Sequence, residues 1–176
     1  LATVDGRLAA HLDGLTIAGP HGAHAAIVAW EAAQEPGEVA VLVATHLQAS
    51  PDPATVAAFA ECLADGERGQ ARQRAVVAAC AWNQATLPGW INAALPSAIA
   101  ERIRIGVVAC LRSPDALQAR DLALTAPHPL ARAIKAVGEL GRLDLLDRCR
   151  PFLAAEDNSV RFQAAWTLAL RQGDPA

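Results

Sequence analysis

The stretch Pro129-Leu130-Ala131-Arg132-Ala133-Ile134-Lys135-Ala136-Val137-Gly138-Glu139-Leu140-Gly141 decides how this chain is read. A proline opens it, a glycine closes it, and its small and apolar residues recur at helical spacing. The pair Ala133-Ile134, followed one turn later by Val137-Gly138, has counterparts elsewhere. These are Ala75-Val76 with Ala79-Cys80, Gly106-Val107 with Cys110-Leu111, and Ala164-Ala165 with Leu168-Ala169. The signature returns roughly every 30 residues, the period of a helical repeat. Two helices approach closely only where their facing side chains are small, so this row is expected to be the seam along which successive hairpins stack.

Composition supports an all-α chain. Of the 176 residues 53% are hydrophobic but only 4% aromatic, so alanine, leucine and valine supply the apolar content. Alanine is the best helix former, and no segment shows the β-branched alternation of a half-buried strand. The net charge of −3 is made of interspersed acids and bases. Nothing concentrates enough positive charge to track a phosphate backbone, which argues against a nucleic-acid partner. The longest apolar runs, such as Val39 to Ala44, are too short to cross a bilayer. Leu1-Ala2-Thr3-Val4-Asp5 has neither the basic start nor the apolar stretch of a signal peptide, and a cytoplasmic location is expected. The absence of methionine leads us to expect a trimmed piece of a longer protein.

Punctuation divides the chain at about residue 50. Residues 1–50 read as an N-terminal helical cap, with helices from Val4 to Leu15, Gly22 to Gln34 and Glu38 to Ala49. Residues 51–176 read as stacked repeats forming one continuous domain with the cap. Their predicted helices run from Pro53 to Asp65, Gln70 to Trp82, Pro88 to Leu95, Pro96 to Leu111, Pro114 to Thr125, Pro129 to Gly141, Leu143 to Ala154 and Val160 to Arg171. Pro151 lies inside one of them and predicts a kink or early break. On the last helix Phe162, Ala165, Trp166, Leu168 and Leu170 spread over more than half the circumference, leaving Arg161, Gln163, Thr167 and Arg171 as the polar remainder. Such a helix wants neighbours on two sides, so either a continuation of the chain or another molecule is expected to cover it, the latter by end-to-end self-association through Val160 to Arg171.

Four segments carry a family resemblance. Arg7-Leu8-Ala9-Ala10-His11-Leu12-Asp13-Gly14-Leu15, Pro36-Gly37-Glu38-Val39, Gly138-Glu139-Leu140-Gly141-Arg142 and Val160-Arg161-Phe162-Gln163-Ala164-Ala165-Trp166 resemble an uncharacterised proteobacterial family of HEAT-like repeat proteins. The resemblance implies a right-handed α-α superhelix of the HEAT/ARM type. It supplies no catalytic residues or cofactor, and points weakly to secretion genes. Val-Arg-x-x-Ala-Ala is shared by many HEAT-like repeats, phycobilin lyases among them.

Candidate chemistry is sparse. His21 and His24 could share a helical face, with His11 and His46 on adjoining helices, but a zinc site needs a third oriented ligand. Cys62, Cys80, Cys110 and Cys149 form no Cys-x-x-Cys pair; Cys80 and Cys110 fall in the seam and read as reduced packing residues. The serines sit mostly before prolines or helix starts, where capping explains them, so no catalytic or metal-binding residue is assigned. Arg161, with Asp157 four residues before it, reads either as a ligand contact or as a guanidinium that pairs with a carboxylate or caps the preceding loop. Trp30, Trp82, Trp90 and Trp166 are the large residues in a small-residue core. Trp82 and Trp166 read as core filling, and Trp90 as an exposed anchor. Gln118, Asp121, Asp144, Asp147 and Arg148 complete the expected contact surface, because second helices of solenoid repeats line the concave face. A protein-interaction scaffold without enzyme activity or cofactor, binding a protein or peptide, is the expected function. A tetrapyrrole- or small-ligand-binding protein, in the manner of the bilin lyases, is the alternative and would need a deep pocket.

Overall fold

The computed structural model describes residues 2–49, 69–83, 95 and 97–172, and these are helical throughout, without a strand. The predicted helices beginning at Pro53 and Pro88 lie outside the described residues, apart from Leu95. The chain divides into two compact units, Leu1–Pro88 and Gly89–Ala176.

In the first unit α1 (Ala2–Ile17), α2 (Pro20–Ala33), α3 (Pro36–Ala49) and α4 (Gly69–Trp82) pack together. Pro20 and Pro36 each open a helix, where the missing N–H loses no intrahelical bond. The central element is α3, which buries Val39, Leu42, Val43, Ala44 and Leu47 against α1, α2 and α4. On α4 the seam residues Val76, Ala79 and Cys80 are buried, as the small-residue pattern predicts. Packing on α3 places α4 in this unit, although residues 1–50 alone read as the cap. Arg72 of α4 donates from Nε (3.2 Å) and Nη2 (3.0 Å) to the carbonyl of Gln34, just past the end of α2, and stacks 5.1 Å from the Trp30 ring. It thereby satisfies a helix-terminal carbonyl and adds a cation–π contact.

The second unit runs through α5 (Ala98–Cys110), two 3-10 turns (Pro114–Ala116 and Ala119–Ala123), α6 (Pro127–Leu140), α7 (Leu143–Cys149), a 3-10 turn (Arg150–Ala154) and α8 (Asn158–Gln172). α6 packs on α5 and, more extensively, on α8. The core is built from Ile105 and Val108 of α5, Ala133, Ile134 and Val137 of α6, Cys149 of α7, and Val160 and Ala164 of α8. Small residues set the α6–α8 spacing. A Cβ added at Gly138 would lie 3.1 Å from Thr167 Oγ1 and 3.3 Å from its Cγ2. The Thr167 hydroxyl donates 2.9 Å to the Ile134 carbonyl, so the two helices touch through a polar contact where the glycine leaves room.

Several details depart from the sequence reading. The stretch after Ser113 forms two 3-10 turns instead of a helix to Thr125. Thr167 is fully buried, whereas Ala165 and Ala169 are exposed. The buried stripe of α8 therefore runs through Val160, Ala164, Thr167 and Leu168, at the i, i+4, i+7, i+8 spacing of one helical face. Cys110 is exposed, not packed in a seam, because α5 ends there. Trp82 is 45% exposed and fills no core. The break at Pro151 is present: α7 stops at Cys149 and the chain tightens into a 3-10 turn.

Candidate functional site

Three regions gather polar or exposed apolar side chains, and the residues expected to form one contact surface divide among different environments. Trp90 lies outside the described residues. Asp121 is only 1% exposed and faces inward, not toward a partner. Its Oδ1 accepts from Arg104 Nη2 (2.5 Å), its Oδ2 accepts from the Gln118 backbone N–H (2.9 Å), and Arg120 Nε lies 3.8 Å away. Arg104, fully buried, also donates from Nε to Glu101 Oε2 (2.7 Å), while Glu101 Oε1 accepts from the Leu95 N–H (2.8 Å). Every one of the four carboxylate oxygens is engaged, as buried charge requires. The cluster ties α5 to the chain before and after it, which is a structural role.

Gln118, Asp144, Asp147 and Arg148 lie on or beside α7 and its neighbouring turn. Of these Asp144 is held by Arg142, whose guanidinium pairs with both carboxylate oxygens at 2.8 and 2.7 Å and also donates to the carbonyls of Pro114 and Leu117. That hydrogen bond, with the guanidinium charge beside it, holds the Asp144 carboxyl below its ordinary range. Asp147 pairs with Arg150 at 2.9 Å, and Arg148 is exposed. Exposed pairs of this kind contribute little energy. Arg161 caps the loop before α8, donating to the carbonyls of Ala155 (2.7 Å) and Glu156 (3.0 Å) and to the Asn158 side chain. Asp157 caps the helix itself, accepting from the N–H groups of Ser159 (2.9 Å) and Val160 (3.0 Å). Bonds from the Ser159 hydroxyl and the Val160 N–H lower its carboxyl pKa.

The third region holds an open groove. Ala109, Cys110, Arg112, Arg132 and Glu139 line an open groove of about 380 Å³ between α5 and α6. Arg132 Nη1 reaches Glu139 at 2.9 Å, and Lys135 Nζ approaches the same carboxylate at 3.6 Å while sitting 6.0 Å from the Trp166 ring. Beyond Trp166, α8 presents Phe162 at 62% and Leu170 at 47% exposure. Sequence reasoning missed Arg112 and Arg132. For Arg112 the available signal was a comparison of helix ends. Both α5 and α6 close with the same pair of reversed bonds: Ser113 N to Val108 O and Arg112 N to Ala109 O in one, Arg142 N to Val137 O and Gly141 N to Gly138 O in the other. The left-handed position is Gly141 (φ 67°) in α6 but Arg112 (φ 50°) in α5. Arg112→Gly is therefore expected to raise stability by about 1 kcal/mol, because glycine adopts that conformation without the Cβ penalty. Thermal unfolding followed by circular dichroism reads this directly; an unchanged or lower midpoint contradicts it.

The cysteines divide by environment. Burial pushes the Cys80 thiol up to about 12 and the Cys149 thiol up to about 11 from an ordinary 9.0. The thiolate is the reactive form, so at pH 8 these two should resist alkylation in the folded chain while Cys110 is modified. Peptide mapping after a short iodoacetamide pulse tests this, and native labelling of Cys80 at the rate of Cys110 would refute it. Because the folded state holds these protons more tightly than the unfolded one, stability should also fall as pH rises above about 9.

His11, His21 and His24 are exposed, and His46 Nδ1 lies 3.0 Å from the Leu42 carbonyl oxygen. Among the described residues no three histidine, cysteine or acidic side chains come together as a metal site would require. No described helix is long and apolar enough to cross a membrane. In the first unit a second cavity, about 90 Å³, is lined by Leu8, Leu12, Ala40, Val41, Ala44, Ala78, Ala79 and Trp82. Comparison with protein families, curated proteins and solved structures returns no match for this chain.

Proposed function

We propose that the chain is a non-enzymatic interaction module of the HEAT-like helical-repeat kind, which binds a protein or peptide on the face formed by α5, α6 and α8. The observation that carries this reading is the unpartnered side of α8. Phe162 and Leu170 are largely exposed there, and half-buried Trp166 connects them through Lys135 to the open groove. Exposed aromatic side chains beside fixed charges are what interface centres are made of. The small-ligand alternative finds less support: the apolar cavity of the first unit is well below the roughly 300 Å³ at which ligand pockets begin, and the larger α5–α6 groove is open, not enclosed, with Arg112, Arg132 and Glu139 among its lining.

The test is capture from the native host with the intact chain and a Phe162→Asp variant of equal stability. A stoichiometric protein recovered with the first and lost with the second supports the proposal; a coloured or small-molecule adduct retained by both opposes it. A second copy of the chain on α8 is the self-association form of the same reading. Sedimentation that shows a concentration-dependent dimer, abolished by Phe162→Asp, would identify it.

A further inference from the structure

We propose that the α5–α6 groove grips a carboxylate side chain, aspartate or glutamate, presented by a peptide segment of a partner protein, with Arg112 and Arg132 as its two arms. The inference rests on the interaction reading above and supplies the chemistry of the partner.

Charge around the groove is unbalanced. Arg132 and Lys135 share the single carboxylate of Glu139, and among the described residues Arg112 makes no ion pair at all. Three cations thus face one anion, and an incoming carboxylate offsets part of that positive surplus. Guanidinium groups suit that role because their N–H forks match the two carboxylate oxygens. The floor between the arms is made of Ala109 and Cys110, small enough for a peptide backbone to come close.

The position of Arg112 strengthens the case. The equivalent site in α6 is glycine, yet here an arginine is held at φ 50° on the lip of the groove. A nucleic-acid backbone would need a longer basic track than this short row, in a chain whose net charge is −3. From Lys135 the surface continues onto Trp166 and Phe162, so the segment should carry apolar residues beside its acid.

The test uses the full chain and a fluorescein-labelled nonapeptide holding two glutamates among leucine and glycine, with a twin carrying glutamine at both positions. Anisotropy titration at low salt should show the glutamate peptide binding at least about tenfold tighter. Arg112→Gly should weaken that binding about fivefold or more while raising the melting temperature, so that a loss of affinity cannot be ascribed to unfolding. Glu139→Gln should tighten it. Equal affinity for the two peptides, or unchanged binding by Arg112→Gly, overturns the proposal, and so does displacement of the peptide by inorganic phosphate at matched charge concentration. If both peptides bind equally and Phe162→Asp abolishes binding, the acid-recognition proposal fails while the interaction module stands.

Discussion

Arg104→Ala is expected to destabilise the second unit by about 3–5 kcal/mol, the cost of breaking a buried ion pair by removing one partner. The alanine leaves the carboxylates of Glu101 and Asp121, both nearly inaccessible to water, facing each other without the cation that lies between them. Neither can be rehydrated without opening the structure. The consequence reaches beyond one side chain, because the Asp121 carboxylate also anchors the Gln118 N–H that starts the 3-10 turn Ala119–Ala123. Urea unfolding of the full chain, followed by circular dichroism, measures the loss; a change under about 1 kcal/mol would mean that the cluster is hydrated or rearranges freely. A triple variant, Arg104→Met with Glu101→Gln and Asp121→Asn, should recover much of the stability, since it removes the charges together. Recovery separates the penalty of unpaired charge from simple loss of packing.

Gly22→Ala should cost about 2–3 kcal/mol in the first unit, although alanine is the better helix former by about 1 kcal/mol. A Cβ on Gly22 would stand 2.7 Å from the carbonyl carbon of Leu15 and within the van der Waals sphere of its oxygen. The obstacle is backbone, so no rotamer change relieves it, and α1 and α2 must move apart. Gly14→Ala is the matched control. Its Cβ meets nothing within 4 Å, and on α1 it should stabilise by about 0.5–1 kcal/mol. Opposite signs for the two substitutions in thermal unfolding would establish that close approach, not helix propensity, sets the Gly22 effect. Equal signs would sink the argument.

These two sites show how unevenly structure was written into the sequence. The helices expected from Gly22 and Glu38, which the structure starts at Pro20 and Pro36, and the end of α6 at Gly141, follow from residues that act on their own backbone: proline presets φ, and glycine accepts the left-handed turn. The small and apolar residues at helical spacing were readable in the same way: Val76, Ala79 and Cys80 on α4 and Ala133, Ile134, Val137 and Gly138 on α6 are buried, whereas Ala75 is only partly so. The segment 113–125 was misread because it satisfies local rules for a helix, with Ser113-Pro114 at its start. What overrides them is Arg104, remote in sequence, drawing Asp121 inward, together with Arg142 donating to the carbonyls of Pro114 and Leu117. The groove was invisible for a related reason. Arg112 and Arg132 look like ordinary surface charges until the packing of α5 on α6 brings the end of one helix beside the body of the other at one groove.

Sequence alone determined the helical class, the placement of most helices and the row of small residues, because backbone preference and side-chain size act within a few residues of where they are written. Tertiary structure alone decided which charges are buried, which face of α8 stays bare among the described residues and which arginines meet at one groove. Those outcomes depend on the distance between segments far apart in the chain, and burial turns that distance into energy.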